Sequence, residues 1–421
     1  MRRIILTLTI SILFVSSDLW AQFSLSGQFR PRLEYRDGYQ ALKTEGADAA
    51  LVISQRTRLT ADYQQDWLKT RISFQDIRLW GNDDIITSTG MFGNRNSQVL
   101  FEAWVDMSFL SNSSIRIGRQ EFDYDDSRIL SGRNWNNNGL SYDALLYQYA
   151  RSGWEFDLAL SYNNIQDNRF GNDFPEGRMR SLNFLRLNRQ FNPHFSGSII
   201  AIASGFMREG TSETMYMKGT YGLNMVYKRD GFDVFGSYYH QNGKHRDGTD
   251  VLAWNLNAEA KYRFDKLSLK AGFSLISGDD ADEAKLNAFD LLYGARHKFY
   301  GHMDYFNNLP VATRGGGLNN IYAGFGYQLS AKTTLLIDYH HFSLNRTVLD
   351  SSNEELEKPL GSELDLALNF RLGNTVNLRG GYGIMLPAES LEVLNTGFAE
   401  SEFSSWAWLM LTIKPVFFSV N

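Results

Sequence analysis

The sequence contains no cysteine and only 7 prolines in 421 residues. The first absence excludes a disulfide-stapled small domain and any thiolate metal site. The second leaves few interruptions to strand ladders, which proline breaks by removing a donor. Beyond residue 21 no apolar run is long enough to cross ~30 Å of hydrocarbon as a helix, and the mean hydropathy is −0.33. A surplus of basic charge is also missing. The chain has 42 Lys and Arg against 47 Asp and Glu, a formal net charge of −5, which argues against a nucleic-acid partner. Histidine is sparse, with 7 in all. His297 and His302 fall in a long connection, and His340-His341 are strand neighbours that point to opposite faces and so cannot chelate one ion. The acidic run Asp279, Asp280, Asp282 and Glu283 lacks EF-hand spacing and reads as a solvated loop. No metal or other cofactor is therefore expected.

What the chain does have is 14% aromatic residues and 36 glycines, the makings of strands, aromatic girdles and turns. It opens with Arg2 and Arg3, an apolar stretch over 4–15 and the small-residue site Leu19-Trp20-Ala21. That pattern predicts a secretory signal peptide over 1–21, cut after Ala21, with 22–421 as one mature domain.

The strongest signal has period two. From Ser24 to Tyr35 the odd positions Leu25, Gly27, Phe29, Pro31, Leu33 and Tyr35 are apolar or small, and the even positions carry Ser26, Gln28, Arg30, Arg32 and Glu34. One face is lipid-like and the other wet. The split recurs where Leu51, Ile53 and Leu59 oppose Ser54, Arg56 and Arg58, and where Leu364, Leu366 and Leu368 oppose Glu363, Asp365 and Arg371. Such segments predict an all-β fold, a transmembrane antiparallel β-barrel of about eighteen strands, from 24–36 to 405–418. Connections after even-numbered strands are short, as at Arg151-Ser152, Asp265-Lys266 and Ala331-Lys332. Those after odd-numbered strands are mostly long: 37–50, 80–97, 122–139, 164–180, 278–317, 344–362 and 386–404. This asymmetry belongs to an outer-membrane barrel with periplasmic termini and outward loops. With no stretch ahead of the first strand to plug it, a barrel of this width is expected to enclose an aqueous channel.

The run Ile117-Gly118-Arg119-Gln120, followed by Tyr124-Asp125-Asp126-Ser127-Arg128, Trp135, and Gly139 to Asp143, resembles the signature of the alginate-export family of outer-membrane barrels. Ser54-Gln55-Arg56-Thr57-Arg58, Phe74-Gln75-Asp76-Ile77-Arg78, His297-Lys298-Phe299-Tyr300-Gly301 and Gly361-Ser362-Glu363-Leu364-Asp365 resemble further family positions. The resemblance covers most of the mature chain. It implies an arginine-rich lumen that passes an anionic polysaccharide such as alginate, or smaller anions.

Parity aims Arg30, Arg32, Arg56, Arg58, Arg71, Arg371 and Arg379 into the lumen, where their guanidinium forks suit carboxylates and phosphates. Inward Glu34, Asp62, Glu102, Asp106, Glu259, Glu363 and Asp365 offer the alternative of structural ladders along the wall. Arg119, Arg128, Arg133 and Trp135 complete the candidate solute-contacting set. The loop 122–139 is the expected constriction, its aromatic and its asparagines suiting sugar rings. Tyr35, Trp67, Trp80, Trp154, Tyr162, Trp254, Trp406 and Trp408 are expected in the interfacial girdles. Expected partners are outer-membrane lipid, an anionic or carbohydrate solute, the barrel-assembly machinery reading the last strand, and periplasmic export components. The rival expectation is a non-transport surface barrel, an adhesin or a membrane-embedded hydrolase.

Overall fold

The computed structural model describes residues 22–81, 98–171, 174–176, 178–208, 210–211, 214–279, 284–397 and 400–420. The signal peptide and Asp280, Asp282 and Glu283 of the acidic run lie outside the described residues.

The strands in chain order are β1 (Gln22–Asp37), β2 (Ala50–Gln65), β3 (Leu68–Leu79), β4 (Val99–Leu110), β5 (Ser113–Gln120), β6 (Tyr142–Arg151), β7 (Trp154–Leu160), β8 (Met179–Asn192) and β9 (Phe195–Met207). They continue as β10 (Met215–Arg229), β11 (Phe232–Lys244), β12 (Asp250–Phe264), β13 (Leu267–Ile276), β14 (Leu318–Ser330), β15 (Thr333–Ser343), β16 (Pro359–Arg371), β17 (Val376–Pro387), β18 (Ser404–Ile413) and β19 (Val416–Val420). From β1 to β18 each strand pairs antiparallel with its neighbour in sequence, and β1 pairs with β2 on one side and with β18 and β19 on the other. The result is a closed barrel of 18 strands with one extra. The last expected strand, 405–418, is interrupted at Lys414-Pro415. Proline offers no ladder donor, the register against β1 slips between Leu25 and Ser26, and β19 resumes the pairing.

Two of the short turns have the local chemistry that a tight hairpin demands. Ser152-Gly153 and Asp230-Gly231 each hold positive φ at both central residues, +51° and +79° in the first and +51° and +87° in the second. Paired left-handed residues match the right-handed twist of the flanking strands.

Burial runs opposite to that of a soluble protein. Leu59, Ile72, Phe74, Ile117, Leu256, Leu366, Leu368 and Leu409 are exposed on the outside, while Arg56, Ser73, Gln75, Asn255, Asn257, Glu363 and Asp365 are buried within. An apolar band of this extent needs lipid around it. One inner sector is apolar instead. Leu146, Leu182, Phe184, Ile200 and Ile202 face inward and join a core with Phe122, Ile129 and Leu130. That patch is the bed on which the loop 122–139 lies.

Candidate constriction and lumen wall

On β1 and β2 the register places Arg30 directly opposite Arg56, and Gln28 opposite Arg58. Like charges facing across a ladder destabilise it; at ~5 Å and an effective dielectric near 20 the repulsion is about 3 kcal/mol. Neutral oxygens offset it. Arg30 donates to the carbonyls of Asn134, Trp135 (3.2 Å) and Asn136 (3.1 Å) and to Asn137 Oδ1 (2.9 Å). Arg56 donates to Gln28 Oε1 (2.6 Å) and Asn134 Oδ1 (2.7 Å), and Arg32 to the Trp135 carbonyl (3.2 Å). Hydrogen bonds from charged donors contribute roughly 1.5–3 kcal/mol each, enough for this set to outweigh the repulsion. The loop 122–139 is therefore folded into the lumen, with its asparagine run clamped to the arginine pair.

The same loop is fixed to the opposite wall. The Asp125 carboxylate accepts from Arg186 of β8 (3.1 Å), Ser198 of β9 (2.6 Å) and Asn224 of β10 (3.2 Å). Arg128 is buried; it pairs with Asp126 (3.0 Å), reaches Ser274 Oγ of β13 (3.1 Å) and stacks over Phe299 at 3.9 Å.

In the second long connection, 278–317, the described residues 284–317 also turn inward, although its length alone marks it as an external excursion. Phe289, Leu291, Tyr300, Met303 and Phe306 are buried. Its backbone meets the first loop, with Tyr293 N donating to Ile129 O (3.1 Å) and Ala295 N to Ser127 O (2.8 Å). Arg133 donates to the carbonyls of Gly294 (3.0 Å) and Leu292 (2.8 Å). Burial and nearby Arg296 lower its pKa. Gly294 is required by the approach, since a Cβ there would lie 1.9 Å from the Arg128 carbonyl oxygen. His297 hydrogen-bonds Asp304 (2.7 Å), which also accepts from Tyr39 (2.5 Å). Burial lowers the pKa of the neighbouring His302, favouring the neutral ring.

Trp135 sits where the two loops and the wall converge. Its ring stacks on His297 at 4.0 Å, lies under Arg32 at 4.7 Å and meets Trp408 edge-on at 5.0 Å. Two cavities adjoin it. One of about 500 Å³ is lined by Arg30, Arg371, Arg379 and Lys414 together with Asn134 and Trp135. The other, about 400 Å³, is lined by Arg133, Arg296, His297, Arg379, Trp135 and Trp408. Asn134, Trp135 and Arg379 border both.

The expected arginines thus separate by role. Arg30, Arg371, Arg379, Arg133 and Trp135 border open space, whereas Arg56 is fully buried beneath the loop tip and Arg58 is stacked on Phe101 at 3.6 Å and bonded to Gln75 (2.6 Å). Arg71 is braced by Asp62 (2.7 Å) and Glu102 (3.4 Å), the ladder arrangement. Arg119 requires correction. It shares the outward side of β5 with Ile117 and pairs with Asp143 (2.7 Å) outside the barrel, so it does not line the lumen. Trp406 and Trp408 also require correction. Both are buried on the inner side of β18, not in a girdle.

A family model described as alginate export matches residues 21–389. No curated protein matches the chain. Among solved structures, OpdQ of Pseudomonas aeruginosa is similar at TM-score 0.62 and 13% identity, covering 94% of this chain and 98% of that one. OccAB4 of Acinetobacter baumannii is similar at 0.59 and 13%, with 94% and 98% covered. The outer membrane protein OpdK of Pseudomonas aeruginosa is similar at 0.58 and 11%, with 94% and 99% covered. At such identities the likeness is one of fold. On the family match, which spans most of its length, this chain belongs to the alginate-export family of outer-membrane β-barrel proteins.

Proposed function

We propose that the barrel is a passive pore that favours anionic and sugar-like solutes, selected where Trp135 meets Arg30 and Arg379. One observation carries the reading. Among the described residues, no carboxylate stands within ion-pair distance of Arg30, Arg371 or Arg379, and all three border the cavity beside Trp135. Unneutralised guanidiniums in a narrow, low-dielectric passage raise the local concentration of anions. The indole face beside them offers a surface on which a sugar ring can stack. Carboxylated saccharides combine both features, and alginate is the polymer for which the family is named.

The non-transport alternatives have less support. His297 is committed to Asp304 and His340 to Asn320 (3.1 Å), roles that hold the inward loop and wall in place. On the periplasmic side, exposed Val416, Phe417 and Phe418 of β19 suit recognition by assembly machinery during insertion. The test is single-channel recording of the purified protein in planar bilayers. Steady conductance with a reversal potential favouring anions supports the reading; an electrically silent barrel, or cation preference, overturns it.

A further inference from the structure

We infer that the lumen holds a second anion site, separate from the arginine wall and suited to a compact phosphate group. It occupies a chamber of about 620 Å³ on the β8–β13 side, lined by Lys228, Lys261, Lys270 and Lys298 with Asp233 and Glu259, and at its loop side by the mutually paired Arg186–Asp125 and Arg128–Asp126. The chamber and the Arg30 cavity have no lining residue in common, because the first inward loop is fastened between them through Asp125 and Arg128. Lys270 and Lys298 also border the Trp135 cavity, so the chamber opens onto the constriction by a route of its own.

The charge balance follows from strand register. Asp233 lies directly opposite Lys228 on β10 and opposite Lys261 on β12. It nonetheless gives both oxygens to Arg263, at 2.7 and 3.0 Å. Three cations therefore surround one carboxylate, and the two lysines have no carboxylate within 4 Å among the described residues. Glu259 is engaged by the Tyr322 hydroxyl (3.0 Å) and Asp126 by Arg128. Lys298 points its ammonium at the Asp126 carbonyl (2.8 Å), which leaves its charge uncompensated. Lys270 completes the ring through its pair with Asp338 (2.9 Å). That pair passes over Gly324, where any Cβ would lie 2.2 Å from the Asp338 oxygen.

Lysine presents a compact point charge with rotatable donors, in contrast to the planar fork of arginine. A tetrahedral oxyanion can take one donor from each of several ammonium groups, while a planar carboxylate gains more from the guanidiniums across the lumen. The pore would accordingly hold a phosphate-bearing solute on one side and a carboxylate-bearing one on the other.

The site rests on the pore reading only in its route of access. In single-channel recordings in chloride, inorganic phosphate added to the periplasmic side should reduce the current at lower concentration than acetate does. Lys228→Gln with Lys261→Gln should raise the half-blocking phosphate concentration roughly tenfold, two modest ion-pair contributions, and leave acetate unchanged; Arg379→Gln should do the reverse. Equal phosphate block in the wild type and the lysine variant overturns the site, as does wild-type current indifferent to phosphate. A silent barrel defeats the pore reading instead, and calorimetric titration of phosphate into the detergent-solubilised protein then decides. Heat that disappears in the lysine variant sustains the site, and its absence in the wild type ends it.

Discussion

The β1–β2 wall and the β3–β5 wall both turn arginines inward, yet they do opposite things with them. On β1 and β2 the register sets Arg30 against Arg56, and their partners are neutral carbonyls and amides of the inward loop. Beside it, Asp62 near the end of β2 faces Arg71 of β3, and Asp106 of β4 faces Arg116 of β5, with ion pairs at 2.7 and 2.8 Å. The first wall keeps its charge and captures a loop; the second is electrically closed. Inward arginines therefore cannot be counted as pore charge until the residue opposite each is known.

The largest expected effect comes from removing residues 134–138, the acceptors that occupy the first wall. Conductance should rise several-fold as the lumen widens, and anion preference should increase as Arg30, Arg32 and Arg56 lose their cover. Unchanged conductance would place the narrowing elsewhere. Next is Asp125→Ala, which frees Arg186, Ser198 and Asn224 of their shared acceptor. Loop anchoring should weaken by about 1–3 kcal/mol, read as faster amide exchange over 122–139 and noisier open-channel current.

A smaller effect concerns pH. Glu121 lies just beyond β5, and burial, then Glu102, raise its pKa against the opposing pull of Arg58. It takes up a proton at higher pH than an exposed carboxylate. The stability this provides is present below its unfolded value and lost as pH rises through the folded one. Neutral Glu121 leaves Arg56 and Arg58 less screened, so anion preference should grow as pH falls, and Glu121→Gln should hold the low-pH selectivity at every pH. A variant that keeps the wild-type titration would assign it to another group. The smallest effect is Arg119→Gln, which loses an exposed outer pair worth about 0–1 kcal/mol and should leave permeation untouched; altered selectivity would return Arg119 to the lumen.

Much of the barrel was legible because lipid on one side and water on the other impose period two, as in Phe29-Arg30 or Leu364-Asp365. Legibility failed where both faces are apolar. Trp406, Trp408 and Met410 alternate with Ala407, Leu409 and Leu411, so parity has no polar face to orient it, and the tryptophans turn inward against Tyr39 and Trp135. A bulge misleads in another way. At β4 the register against β3 slips between Ser73 and Phe74, and both Phe101 and Glu102 are buried. The inward course of 284–317 has no periodic signature. Its cue was composition, since Phe289, Leu291, Leu292, Phe299, Tyr300 and Phe306 are too apolar for a solvated loop. The like-charge pairing of Arg30 with Arg56 depended on register, which parity alone does not fix.

The most direct measurement is the reversal potential across a potassium chloride gradient for two double variants beside the wild type. Arg371→Gln with Arg379→Gln removes charge that borders the cavity without a carboxylate partner, and should move the reversal potential away from the anion limit. Asp62→Asn with Arg71→Gln deletes a closed pair at no net change in charge, and should leave it where the wild type has it. Equal shifts in both, or none in the first, would contradict the claim that the unpaired arginines set the selectivity of the pore.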